Sequence, residues 1–237
     1  SYIRRRSHHA SLLLWCGGNE LTRGEDGEKA GVIPVDCSHP CMSAIRVLLA
    51  REDPGRRFIP TSPSGPVFYA DAKEYGKGLH HDIHGPWGMG GFADIEAWRE
   101  YWEADDSLFR SEVGMPGACD ADFIRRYAGP CEFWPPVGEY WMHTAAWWTL
   151  WDRYEKDLAG LGADEGLPVY VERTQRLQAD AYEIAASICK RRFPRCGGFI
   201  IWMGHDLFPC PANNSVIDFD RRPKPAYYAL QRVFRKE

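Results

Sequence analysis

Ser11-Leu12-Leu13-Leu14-Trp15-Cys16-Gly17-Gly18-Asn19-Glu20 is the stretch on which the fold turns. Its short apolar run has the composition of a buried parallel strand. The run stops abruptly at two glycines, an amide and a carboxylate. Polar groups at the carboxyl end of such a strand are where α/β barrels carry their chemistry. An isolated Asn-Glu is most often a surface pair, so Asn19 and Glu20 gain weight only if a second carboxylate occupies a matching position.

Working outward, Ser1 to Arg6 reads as the end of a helix, with Arg5, His8 and His9 tying it to its neighbours. Beyond the strand comes a loop rich in Gly, Asp and Glu, from Gly24 to Gly31. Proline near the start and Asp53-Pro54-Gly55 at the end delimit a helix from about Pro40 to Glu52. Arg57-Phe58-Ile59-Pro60 is a second short strand, entering the turn-forming Thr61-Ser62-Pro63-Ser64-Gly65-Pro66. Leu79 to His84 is a weaker strand ahead of a glycine-rich segment, and Asp94 is placed to cap a helix through about Glu103. Leu108 to Ser111 is a fourth strand, ending at Glu112-Val113-Gly114.

Helices fill Asp120 to Lys190, the longest from about Pro168, where Val171, Leu177, Ala181, Ile184 and Ile188 make an apolar stripe. Gly197 to Trp202 is the fifth strand. A final helix after Pro223 or Pro225 turns Tyr227, Leu230, Val233 and Phe234 inward. Strands alternating with helices predict βαβ units and a parallel sheet.

The chain has 237 residues, 44% hydrophobic and 26% charged, with a formal net charge of -4, as expected of one globular unit or a large part of one. That balance gives no reason to expect nucleic acid as a partner, and no apolar run has the length of a membrane-spanning helix. Eight cysteines permit disulfides without requiring them. Cys37-Ser38-His39-Pro40-Cys41 faintly suggests metal ligands, but no second pair stands at zinc-site spacing, so no metal is expected. Ten tryptophans suit the stacking of sugar rings, and equally the packing of large aromatics under long loops.

The second carboxylate is Glu112. Like Glu20, it follows an apolar run directly and precedes a loop, so both are expected on one rim of a parallel sheet. Two rim carboxylates facing each other are what cleavage of a glycosidic bond requires. Trp202, at the end of the fifth strand, would floor such a site.

At this point the residues resemble a known family. Arg6-Ser7-His8-His9-Ala10-Ser11 with the strand through Glu20 resembles the fourth barrel strand of family two of the glycoside hydrolases. Ser111-Glu112-Val113-Gly114 is similar to its seventh strand. Gly198 to Trp202 with Asp206, then Ser215-Val216-Ile217-Asp218 and Arg222 to Leu230, is similar to its eighth strand and last helix. Ile59 to Gly65 and Asp82-Ile83-His84 lean toward the β-mannosidase-like branch. Ala10, Val113 and His205 depart from the family's usual proline, aromatic and asparagine.

The resemblance implies an α/β fold, a (β/α)8 TIM barrel of which residues 1–237 carry about strands four to eight, with a helical insertion at about 120–192. It implies further that the first three strands and the β-sandwich domains lie outside this chain, which would leave two open sheet edges. The implied activity is that of a retaining exo-β-glycosidase of terminal β-linked sugars, β-mannosidase-like, on oligosaccharide or glycoside substrates. Glu20 would be the general acid/base and Glu112 the nucleophile, with the carboxyl groups roughly 5–5.5 Å apart. Asn19 would bond the 2-hydroxyl, Trp202 would stack on the sugar, and His84, Trp87 and Asp206 are candidates for further hydroxyl contacts. β-Galactosidase, β-glucuronidase, exo-β-glucosaminidase and a non-catalytic sugar-binding relic remain as alternatives. No cofactor is implied, since proton transfer and covalent catalysis suffice.

Overall fold

The computed structural model describes residues 2–24 and 33–235. The loop expected from Gly24 to Gly31 therefore lies, from Glu25 onward, outside the described residues. In chain order the regular elements begin with α1 (Tyr2–Arg6), β1 (Leu14–Cys16), β2 (Thr22–Arg23), β3 (Ile33–Pro34), α2 (Pro40–Glu52) and β4 (Arg57–Ile59). There follow β5 (Asp82–His84), α3 (Ile95–Ala104), β6 (Phe109–Val113), β7 (Gly117–Ala118), α4 (Ala121–Ala128), α5 (Glu139–Thr144) and α6 (Trp151–Leu158). The last are α7 (Ala163–Arg191), β8 (Phe199–Ile201), β9 (Ala212–Asn213) and α8 (Pro225–Arg235). The five expected strands are β1, β4, β5, β6 and β8, in an α/β chain.

Two compact units divide the chain. The first holds Ser1–His84, Asp105–Ser111 and Arg195–Gly198. Here β1 and β4 pair in parallel, Trp15 opposite Phe58, as the βαβ reading predicts. The apolar run is less buried than expected: none of Leu14, Trp15 and Cys16 is buried, and Leu13 is 77% exposed. Among the described residues β1 has β4 as its single ladder partner, so its other edge is open. The parallel ladder also stops short of β5. One backbone bond, from His84 N to the Phe68 carbonyl at 3.4 Å, and side chains join the segment after β4 to β5: Ser64 N donates to Asp82 Oδ2 at 2.9 Å, and Ser62 Oγ lies 3.0 Å from His84 Nε2.

In the same unit, Leu108 N donates to the His80 carbonyl, Gly197 N to that of Leu108 and Arg110 N to that of Gly198. These rungs climb in step, as parallel strands do. Arg110 and Asp105 are fully buried side chains, joined at 2.5 Å, and Ser107 Oγ donates to the same carboxylate oxygen at 2.6 Å. At the chain's start Arg4, rather than the expected Arg5, His8 or His9, ties α1 to α2 through Glu52.

The second unit holds Gly85–Ala104, Glu112–Pro194 and Phe199–Glu237. Its core is aromatic: Trp134, Trp141 and Trp151 surround the buried ring of Tyr170, with centroids 5.9–6.2 Å away. Trp98 and Trp102 are fully buried on α3, whose start Asp94 caps by accepting from Glu96 N and Ala97 N. Five of the ten tryptophans therefore serve packing rather than a sugar.

Helix α7 begins five residues earlier than its proline suggested and runs through Pro168, losing one backbone rung there. Burial of Leu167 and Tyr170 on either side holds the turn in place. The expected stripe holds at Val171, Ala181, Ile184 and Ile188, while Leu177 is only half-buried and Gln175 and Gln178 take buried positions. Gln178 Nε2 donates to the carbonyls of Met115 at 2.8 Å, Ser215 at 3.1 Å and Asn213 at 3.3 Å. A buried amide is stable where it satisfies loop carbonyls that would otherwise have no donor. Helix α8 buries Ala226, Ala229, Leu230 and Val233, a spacing of one helical face. Tyr227 and Phe234, expected inward, are half-buried and exposed, because the small alanines form the face instead.

Candidate active site

In the first unit the turn after β1 is clamped to the turn after β4. Gly17 N donates to the Ile59 carbonyl at 2.9 Å, Ser62 N to Gly18 at 3.0 Å and Glu20 N to Ser62 at 2.7 Å. Thr61, fully buried, accepts from Leu21 N at 2.9 Å. This frame holds Glu20 at φ 53°, a left-handed conformation that a non-glycine residue seldom adopts. Such strain, of order 1–3 kcal/mol, persists only where the surroundings over-determine it, and it concentrates at functional positions.

The Glu20 side chain is 38% exposed, yet Oε1 lies 2.9 Å from Nδ1 of His84, which is 1% exposed. The carboxylate is thus anchored on one oxygen while it meets solvent. Asn19 is exposed beside it. Partial burial, then the Glu20 charge, push the Tyr69 phenol up, which puts a phenol within electrostatic reach of that carboxylate. Behind His84 the hydrogen bonds continue through Ser62 and Ser111 to Asp82.

In the second unit β6 runs through Glu112 to Val113 rather than ending at Ser111. Gly85 N donates to the Glu112 carbonyl, Gly114 N to that of Pro86 and Trp202 N to that of Val113, each at 2.8 Å. These rungs extend the strand past the point where its apolar pattern stops. Trp87 Nε1 donates to Glu112 Oε2 at 2.9 Å. Gly85 makes the turn that aims the indole: its φ is 77°, and a β-carbon there would lie 3.1 Å from the Trp87 ring. Trp202 is half-buried, with the Trp148 ring 5.7 Å from its own, centroid to centroid.

Asp206 sits differently. It is 1% exposed, and Asn213 Nδ2 donates to its Oδ1 at 2.9 Å. Burial pushes its carboxyl up, against the opposing pull of Lys224 and of hydrogen bonds from Ser215 and Asn213. A carboxyl so enclosed braces its own loop.

Of the candidates read from sequence, the structure joins Glu20 to His84 in one unit, with Asn19 adjoining, and Glu112 to Trp87 in the other. Sequence reading missed Ser62, Ser111, Asp82, Thr61 and Trp148. The hydroxyls of Thr61 and Ser62 lie in a segment whose composition signals only a turn, and their partners are remote along the chain. The eight cysteines are free, and Cys37, His39 and Cys41 form no three-ligand cluster among the described residues.

No family model matches the chain. Among curated proteins it is similar to β-mannosidase B of Aspergillus fumigatus, 24% identical over 260 residues, covering 98% of this chain and 28% of that protein. The β-mannosidase B of Aspergillus clavatus is 25% identical over 256 residues, with the same coverage of both chains. Among solved structures, a β-D-mannosidase from Dictyoglomus thermophilum matches with a TM-score of 0.66 at 23% identity, over 98% of this chain and 28% of that one. That likeness establishes a shared fold. The chain thus spans 28% of the length of these relatives and is, over 98% of its own length, β-mannosidase-like in sequence and fold.

Proposed function

We propose that this chain carries the two carboxylates of a retaining exo-β-glycosidase, with terminal β-mannosides as its substrates. Its five principal strands are read as the fourth to eighth of a (β/α)8 barrel, and residues 120–192 as a helical insertion into it. Glu20 protonates the leaving oxygen and later takes a proton from the incoming water. Glu112 attacks the anomeric carbon to give a glycosyl-enzyme intermediate, a sequence that requires carboxyl groups roughly 5–5.5 Å apart.

The observation that carries this reading is the treatment of Glu20. A glutamate kept in a strained backbone conformation, with one oxygen on a buried imidazole and its side chain still partly open to solvent, suits proton transfer. The hydrogen bond from Trp87 fixes one oxygen of Glu112, as a nucleophile needs. Asn19 adjoins the acid and is assigned to the 2-hydroxyl, and Trp202, with Trp148 beside it, to the sugar face. The names of the similar proteins favour mannose among the β-linked sugars. No step of the double displacement needs a cofactor.

The test is a panel of aryl β-glycosides offered to the protein that carries this chain, with Glu20→Ala and Glu112→Ala alongside. β-Mannoside should be preferred. Glu20→Ala should retain most activity on aryl groups that leave unaided while losing about 10²-fold or more on poor leaving groups. Glu112→Ala should lose both. Equal losses in the two variants on an activated aryl glycoside would refute this division of roles.

A further inference from the structure

Between β4 and β5 the chain lays Phe68 and Tyr69 beside the residue that anchors Glu20. His84 N donates to the Phe68 carbonyl at 3.4 Å, and the Phe68 ring meets the His84 ring edge-on, with centroids 5.7 Å apart. The imidazole in turn lies 2.9 Å from Glu20 Oε1. Two more bonds fasten this segment on either side: Ser64 N donates to Asp82 Oδ2 at 2.9 Å, and Asp71 N to His80 Nε2 at 3.3 Å. Tyr69 therefore stands on a backbone held before and after it.

The two adjoining aromatics differ in burial. Phe68 is 7% exposed, whereas Tyr69 is 52% exposed, although the ring centroids are only 4.4 Å apart. Partial burial and then the Glu20 charge raise the Tyr69 phenol, so its ring is near the carboxylate as well as the imidazole. A half-exposed tyrosine is by itself an ordinary surface residue. Its place beside the partly exposed Glu20 carboxylate is what sets Tyr69 apart.

Reaction chemistry says which part of a substrate arrives there. The acid gives its proton to the leaving oxygen, so the leaving group lies next to Glu20. An exo-acting enzyme encloses the terminal sugar, and the remainder of the substrate extends past the acid toward solvent. A ring backed by Phe68 and open to solvent offers that emerging part a rigid apolar face, with a hydroxyl at its tip.

We propose that Tyr69 is the platform for the first sugar of the leaving group, so that the favoured substrates are oligosaccharides rather than glycosides of small alcohols. This rests on the assignment of Glu20 as the acid/base and adds a second sugar subsite to it. The ring carries the contact by covering the C–H face of the sugar, and the hydroxyl adds a smaller share.

The test uses the protein that carries this chain and compares β-linked mannobiose with methyl β-mannoside. Both release an alcohol that needs protonation, so the ratio of their kcat/KM values reads the leaving sugar rather than the acid. Tyr69→Ala should lower that ratio about tenfold, and Tyr69→Phe, which keeps the ring, should hold it within about threefold of wild type. Tyr69→Leu keeps bulk without a flat face and should fall with the alanine variant. An unchanged ratio in Tyr69→Ala and Tyr69→Leu overturns the proposal. So do equal losses on the two substrates, which would place the effect on the terminal sugar or the acid, and a phenylalanine variant as impaired as the alanine one. Failure of the acid/base assignment would look different: Glu20→Ala would then lose activated and poor leaving groups alike, a comparison made without any change at Tyr69.

Discussion

Trp87 and Glu112 are 25 residues apart, and the indole Nε1 of the first donates to Oε2 of the second at 2.9 Å. The turn at Gly85 and Pro86 makes the contact possible, since its backbone pairs with β6 on both sides of Glu112. A hydrogen bond to an ionised group contributes roughly 1.5–3 kcal/mol. Trp87→Phe keeps most of the ring and deletes the donor. It should lower kcat roughly ten- to hundredfold on activated and poor leaving groups alike, because the nucleophile proposed at Glu112 serves both. Steady-state kinetics on the two substrate types checks this, and a loss confined to poor leaving groups would exclude the role.

Gly114 allows that contact to form. A β-carbon at this position would lie 2.4 Å from Asn214 Oδ1 and 3.1 Å from the α-carbon of Trp87. Asn214 is fully buried, so it has no open space into which to retreat. Gly114→Ala should cost about 1–3 kcal/mol through overpacking and reduce activity as Trp87→Phe does. Urea denaturation alongside an activated-substrate assay would measure both effects.

Asp105 and Arg110 form an ion pair with both side chains fully buried. Deleting one partner strands the other's charge, at a cost of about 3–5 kcal/mol. Asp105→Ala should therefore destabilise strongly, while Asp105→Ala combined with Arg110→Met should recover most of the loss. A double-mutant cycle in denaturant is the measurement.

Burial raises the carboxyl of Asp206, which sets the sign of its linkage to pH. A carboxyl whose folded pKa exceeds its unfolded value binds its proton more tightly when folded. Its contribution is greatest below about pH 3.9 and is lost as pH rises through the raised folded value. Asp206→Asn keeps an acceptor for Asn213 but cannot titrate. The stability of the variant relative to wild type should therefore rise with pH above about 4, as Tm measured across that range would reveal.

The interior of the second unit explains why some expectations failed. Hydrophobic pattern placed Leu177 and Phe234 inside, yet the buried positions went to Gln178 and Ala229. Gln178 is buried because three carbonyls from remote loops converge on its amide, and no periodicity in the local sequence encodes that. Similarly, β6 is longer than its apolar run because Gly85 and Trp202 supply rungs from elsewhere in the chain.

What this protein's sequence determined by itself is what short-range chemistry controls. The order of its strands and helices, the start of α2 at Pro40, the Asp94 cap and the parallel sense of β1 and β4 all follow from residues close together along the chain. Glu20 and Glu112 stood out for the same reason, each a carboxylate directly after an apolar strand. Tertiary structure alone decided what those groups touch: Trp87 on Glu112, His84 on Glu20, and the row through Ser62 and Ser111 to Asp82. A hydrogen bond depends on distances of a few tenths of an ångström between atoms dozens of residues apart, and only the folded backbone sets those distances.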